Sequence, residues 1–355
     1  MFAAFGGNVN KNVFLSIFIL SALIAAGSVI YVFLNYNRAS NPESSQRPKL
    51  VIYSYSSFVD SFGPGPEIVE RFKKICLCDI EVVDVGSGGL LLERLRLSPD
   101  RQVDVILGLD QLNLKTALKT HKWKNIRLSP KDFVPELKPS VYSMFIPFDW
   151  SPMTFLSRKP IAAETDMRTF LSRQENKSIA LQAADLSSPG LQFMYWMWSL
   201  AQNQKEPLSQ IAGLLKPKIH SMSPEWSGSY SFFQSKAADT VFTYLTSLVY
   251  HREKKENFNY GVFTDGHTAQ IEYVGIPEQC MSCGIGEAFV EFITSPEIQK
   301  IIMAKNYMLP SIAGVTAGTE FEKLPKLKIL PLENMDAFSD DQKNIMTEWK
   351  AATGE

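Results

Sequence analysis

The sequence predicts an α/β protein built in two units, with a single membrane helix at its N-terminus. Three observations carry that expectation. The body of the chain alternates strand-like and helix-like segments in the order β-α-β-α-β, the pattern of a parallel sheet covered by helices. Its 355 residues exceed one ordinary core, so two domains, or one domain in two lobes, are expected. Residues 13–34 read VFLSIFILSALIAAGSVIYVFL, without charge or proline.

Those 22 residues match the ~20 that cross ~30 Å of hydrocarbon as a helix. A cleavable signal peptide would carry a shorter apolar core ending in a small-x-small site. Ala25, Ala26 and Gly27 offer one, but the apolar run continues through Ile30, Val32 and Leu34, which favours an uncleaved signal anchor. No cysteine follows the run for a lipid anchor. A short tail (1–12) precedes this segment, and a polar, turn-rich tether (35–48) follows it.

Residues 49–55 (KLVIYSY) form a β-branched and aromatic run, read as a first buried strand. Residues 64–74 have helical periodicity with proline near the start. A second strand at 79–85 turns through GSGG (86–89) into a helix at 90–96, and a third strand spans 103–110. Ligands of such sheets sit beyond the carboxyl ends of the strands, where Tyr55, Ser87 and Asp110 fall. A second unit begins near 145–150. There, a strand at 178–182 leads through Ser187 and Ser188 into a helix at 191–201, whose N-terminus is a ready anion site. Further strands are expected at 240–244 and 270–274, and helices at 284–292 and 295–302.

A formal net charge of −1, with scattered Lys and Arg, argues against nucleic acid as a partner. Cysteines 76 and 78, and 280 and 283, form two close pairs. Their spacing leaves a disulfide, free buried thiols or metal open, although C-x-C is not the usual zinc spacing.

Several motifs then fall into register. YSYSSF (53–58) is followed by GPGP (63–66), DVILGLD (104–110), PFD (147–149), SPG (188–190) and EWS (225–227). YLTS (244–247), Tyr250 with His251, Gly266 with His267, and NYMLP (306–310) complete the series. Together they resemble the thiamine-binding periplasmic proteins over roughly 49–349, and the Cys-x-Cys at 76–78 resembles that family too. The resemblance implies a two-lobed periplasmic-binding fold of type II, with lobe 1 from 49–146 plus 270–350 and lobe 2 from 147–269. It also implies capture of thiamine, or its mono- and diphosphate, for an ABC permease in the inner membrane, with no cofactor. Ligand contacts would fall on Ser87, Gly88, Ser187, Ser188, Trp226, Tyr244, Leu245, Thr246 and Ser247, with Tyr55 and Tyr250 as ring-packing partners.

The chemistry is compatible. A cationic thiazolium needs aromatic faces, each worth ~0.5–2 kcal/mol, which Trp226, Tyr55, Tyr244 and Tyr250 can supply. Its hydroxyethyl or phosphate arm needs neutral donors such as Ser187, Ser188, Thr246 and Ser247. Asp110 and Asp149 are candidate acids near the cation. Taken singly, Trp226 would be read as a core or surface tryptophan, Tyr244 and Tyr250 as core, Ser87 and Gly88 as a tight turn, and Asp149 equally as a turn cap. His251 and His267 read as structural hydrogen-bonding residues. Two departures from the family stand out: Ser87 where many relatives have an acid, which leaves a charged contact either missing or supplied by Asp84, and Phe62 where tryptophan is frequent.

Three rival functions remain. A thiamine-degrading transferase of this architecture needs a nucleophilic cysteine in the cleft, and all four cysteines lie away from the expected cleft loops. A ferric-iron or polyamine binder would need a different ligand set; iron wants Tyr, His and carboxylates together, and no His joins the cleft motifs. A tethered sensor that feeds no transporter has no distinguishing motif.

Overall fold

The computed structural model describes residues 47–355, apart from 100, 130, 138, 140, 141, 163, 164, 174–177, 332 and 333. The expected membrane segment at 13–34, and nearly all of the tether, lie outside the described residues. Among the described residues no helix is long and apolar enough to cross a membrane.

The first half follows the expected alternation. Strand β1 (Lys49–Ser54), helix α1 (Gly65–Cys76), strand β2 (Asp79–Asp84), helix α2 (Leu91–Leu97) and strand β3 (Val105–Asp110) follow in order, and β1 pairs in parallel with β2 and β3. The period-2 alternation of β1 sorts its side chains between two cores. Leu50 and Ile52 pack with Ile68 and Phe72 of α1, whereas Val51 and Tyr53 pack with Leu91 and Leu95 of α2. Proline in the first turn of α1 costs no hydrogen bond, and Leu77 closes the helix in the left-handed region at φ 50°.

The second half repeats the design with β5 (Ile179–Gln182), α3 (Ser188–Gln204), α4 (Leu208–Leu215), β6 (Ile219–Ser223), α5 (Trp226–Gln234), β7 (Thr240–Tyr244) and α6 (Ser247–Glu253). Helix α3 is apolar almost all round, because it is sandwiched between the sheet and outer helices.

Two long strands join the halves. β4 (Phe145–Ser157) pairs along its first part with β8 (Ala269–Gly275) and along its last five residues with β7. β8 also pairs antiparallel with β3. The main path of the sheet therefore runs β2-β1-β3-β8-β4-β7-β5-β6, with β8 and β4 as the crossover between lobes. After β8 the chain returns to the first lobe through α7 (Cys283–Ile293), α8 (Pro296–Asn306) and the short β9 (Leu309–Pro310), which pairs with β4.

One sequence expectation is corrected here. Residues 270–350 were grouped with the first lobe, but the final helix α9 (Met335–Thr353) packs on the second. Its Phe338, Ile345 and Trp349 join Phe193, Tyr195 and Leu215 in that core. An amphipathic stripe specifies that a helix must be covered, not by which lobe.

Both cysteine pairs are disulfides, Cys76–Cys78 and Cys280–Cys283. The second lies where the chain enters α7, beside the amides of Met281 and Ser282, which donate to the buried Asp104 carboxylate at 2.8 and 2.7 Å. Asp104 also accepts from Val51 N at 2.9 Å, so one satisfied carboxylate ties β1, β3 and α7 together.

Candidate functional site

A cleft of about 670 Å³ opens between the two halves, at the ends of the strands. Each wall follows from a strand that stops and a chain that turns. Tyr55 ends β1, and Ser87 and Gly88 follow β2; Ser187 and Ser188 start α3, Trp226 starts α5, and Tyr244 and Ser247 link β7 to α6. All of these line the cleft, as do Tyr250 and Phe62. Phe62 is 69% exposed, so it forms the rim.

The aromatic walls are fixed by mutual contacts. Trp226 stacks on Tyr230 with ring centroids 4.4 Å apart, and its Nε1 donates to Thr243 Oγ1 at 2.9 Å. Across the cleft Tyr55 sits edge-on to Phe58. Gly108, at φ 105°, leaves room for the Tyr55 ring: a Cβ there would lie 2.4 Å from Tyr55 Cδ1.

The floor comes from the crossover strands and is acidic. Glu272 of β8 lies opposite Asp149 of β4 in the ladder. Tyr55 Oη donates to Glu272 Oε2 at 2.6 Å, and Gln270 Nε2 donates to Glu272 Oε1 at 2.9 Å. Asn306 Nδ2 donates to both Tyr55 Oη and Asp149 Oδ2, each at 2.9 Å. Burial pushes the Glu272 carboxyl up to about 7; the charge of Asp110 adds to this, and the Tyr55 and Gln270 hydrogen bonds oppose it. Burial, and then the Glu272 carboxylate, hold Asp149 well above the ordinary carboxylate range. The Tyr55 and Tyr244 phenols are held up by burial first and by the same carboxylates second.

The serines form a third group. Ser188 Oγ donates to Asp110 Oδ2 at 2.5 Å, and Asp110 also accepts from Leu112 N and Asn113 Nδ2. Ser187 is 2% exposed and its Oγ has no hydrogen-bond partner, although it stands at the N-cap of α3. Ser247 Oγ contacts Thr243 Oγ1 at 3.1 Å. The fit between lobes is close at the glycine turn: a Cβ on Gly88 would lie 3.2 Å from Ser188 Oγ, and one on Gly89 would lie 3.2 Å from the Leu186 carbonyl.

Four expected residues fall elsewhere. Leu245 packs in the core beneath α5, and Thr246 is fully buried with its hydroxyl on Ser151 Oγ; neither lines the cleft. Asp110 and Asp149 are fully buried behind the lining, so Asp149 is neither a turn cap nor a lining residue. Asp84 accepts from Ser56 Oγ and Gly86 N and does not line the cleft. The acids that do line it besides Glu272 are Asp60 and Glu225. His251 and His267 are hydrogen-bonded within the lobes, His251 to Tyr230 and Glu256, and His267 to Phe263 N and the Met153 carbonyl.

Sequence reasoning missed Glu272, Gln270, Asn306, Tyr307 and Tyr230, all of which line the cleft. A signal for Glu272 existed: an acid inside a strand whose neighbours Ile271 and Val274 are core residues. Asn306 and Tyr307 belong to the NYMLP motif (306–310), whose resemblance to the family implies no role for them.

Comparison with known proteins gives four findings. The family profile described as bacterial extracellular solute-binding protein matches residues 52–307. The thiamine-binding periplasmic protein of Escherichia coli strain K12 is 29% identical over 315 residues, covering 86% of this chain and 94% of its own. A solved periplasmic thiamin binding protein superposes with a TM-score of 0.78 at 28% identity, covering 87% of this chain and 98% of that one. A ferric binding protein from Campylobacter jejuni also superposes, with a TM-score of 0.68 at 16% identity over 85% of this chain and 99% of that one; this shows a shared fold alone.

Proposed function

The chain belongs to the bacterial extracellular solute-binding protein family, and from that premise we propose that it captures thiamine, or a phosphate ester of it, and delivers it to an ABC permease. The observation that carries this reading is the pairing of aromatic walls with an acidic floor. Among the described residues no lysine, arginine or histidine is ion-paired with Glu272, Asp149 or Asp110. Such a floor under Tyr55, Trp226, Tyr244 and Tyr250 suits a flat organic cation.

The thiazolium would lie over the rings. The hydroxyethyl or phosphate arm would reach Ser87, Gly88, Ser187, Ser188 and Ser247, at the start of α3, where the Ser187 hydroxyl has no partner. Leu245, Thr246, Asp110 and Asp149 would support the contacts from behind, and Phe62 would cover the mouth. Hinge motion about β4 and β8 would close the lobes, and the closed form would dock on the permease. The apolar segment 13–34, outside the described residues, would serve as an anchor that holds the protein at the periplasmic face of the inner membrane.

A binder, not an enzyme, is the favoured reading. All four cysteines are bonded in disulfides, so none stands as the thiolate that a thiamine-cleaving transferase needs. Among the described residues no group of three or more His, Cys, Asp or Glu is arranged to hold a metal.

Calorimetric titration of the full-length chain with thiamine, its monophosphate and its diphosphate tests the reading. Submicromolar binding that weakens by about tenfold or more in Trp226→Ala supports it. No binding of any of the three rejects the assigned solute.

A further inference from the structure

Three buried carboxyls stand at or just behind the cleft floor, and among the described residues none is ion-paired with a cation. Glu272 is 5% exposed, and Asp149 and Asp110 are fully buried. An uncompensated buried charge is costly, so an empty cleft must hold part of this cluster neutral by keeping a proton on it. Asp110 is the best satisfied of the three, with donors from Ser188, Asn113 and Leu112 N. Asp149 and Glu272 face each other on the paired crossover strands, so the proton belongs to that pair.

Two further observations mark this floor as unfinished. Asp149 Oδ1 is buried without a hydrogen-bond partner. Gln270 is 2% exposed and lines the cleft beside Glu272, and its Oε1 also lacks a partner. Among the described residues no cation completes it. Tyr55 faces the pair from the end of β1, Tyr244 from β7, Asp110 from β3 and Asn306 from α8. Lys305 lines the same cleft, but its ammonium is bound to Glu67 at 3.0 Å.

We propose that the Asp149–Glu272 pair is an exchange site at which a cationic ligand takes the place of a proton, so that capture releases a proton to solvent. The charge balance is simple. Below neutrality the empty pair still holds the proton of Glu272; the ligand brings one positive charge over the floor, that proton leaves to water or buffer, and the net charge of the floor region is unchanged. Titration of Glu272 near neutrality fits this exchange. Affinity then rises with pH up to about 7 and levels off above it, by at most about tenfold per unit. The proposal rests on the ligand being a cation, as argued above.

Calorimetry of the full-length chain with thiamine, in phosphate and in Tris at equal pH, reads the proton count directly from the difference in heat. About one proton should be released per thiamine at pH 6 and almost none at pH 8.5. Glu272→Gln should abolish the release and flatten the pH dependence of affinity. Thiamine binding with no proton release at pH 6 in the unmodified chain would overturn the exchange while leaving the assigned solute in place. Absence of thiamine binding at every pH would overturn the solute, and this proposal with it.

Discussion

Tyr307, at the C-cap of α8, stands edge-on to Tyr250 of α6, with ring centroids 5.3 Å apart at 89°. The two residues come from elements flanking opposite sides of the cleft, and the Tyr307 hydroxyl donates to Glu253 Oε2 at 2.7 Å, completing a contact across its edge. Lys254 lies 4.1 Å over the Tyr250 ring, so in this structure the ring already holds a cation on one face.

If these rings clasp a cationic ligand, Tyr250→Ala and Tyr307→Ala should each weaken thiamine binding by about 0.5–2 kcal/mol. Phenylalanine at either position should retain most of the affinity. Titration of the four variants checks this, and a loss as large in the Phe variants as in the Ala variants would assign the role to the hydroxyls.

The first-lobe strands were legible because buried parallel strands are continuous apolar runs, and small polar residues after them mark the cleft end. The cleft position of Trp226 was legible through motifs in register, and those of Ser87 and Ser187 through a strand end and a helix start. Leu245 and Thr246 were misplaced because a four-residue turn was treated as one surface. Its outer members Tyr244 and Ser247 line the cleft, while the two between them are buried away from it. Glu272 was missed because its importance comes from Asp149, 123 positions earlier, and strand pairing at that separation leaves no local trace.

Ser187 and Ser188 are neighbours with opposite expected behaviour. Ser187→Ala removes a buried hydroxyl without a partner, so thermal stability should change by no more than about 0.5 kcal/mol while affinity for the ligand arm falls. Ser188→Ala removes a donor from the buried Asp110 carboxylate and should destabilise the fold by about 1–3 kcal/mol. Denaturant melts with and without thiamine separate the two.

Gly108→Ala should disturb the floor from behind. The new methyl would sit against the Tyr55 ring at a left-handed φ, so about 2 kcal/mol or more of stability should be lost. Tyr55 would also shift from Glu272, and thiamine affinity should fall with it. Stability loss with unchanged affinity would place Tyr55 outside the binding event.

The ligand-free fold should respond to pH through Glu272. Its ordinary value is 4.5 and its value in the fold is about 7, so between these the fold keeps a proton that the unfolded chain has lost. The stabilising contribution is therefore complete below pH 4.5 and is lost as pH rises through 7. Melting temperature should fall between pH 5 and 8 in the ligand-free protein, fall less in Glu272→Gln, and recover with saturating thiamine. A melting temperature for the native chain that rises steadily over that range would contradict the assignment.

The central claim, that the cleft selects an organic cation by its charge, is tested most directly by a paired titration at pH 8. The full-length chain is titrated with thiamine and with an analogue whose thiazolium is replaced by an uncharged ring of the same size. The expected result is submicromolar affinity for thiamine and an affinity for the neutral analogue weaker by about tenfold or more. Equal affinity for the two, or no binding of thiamine, would contradict it.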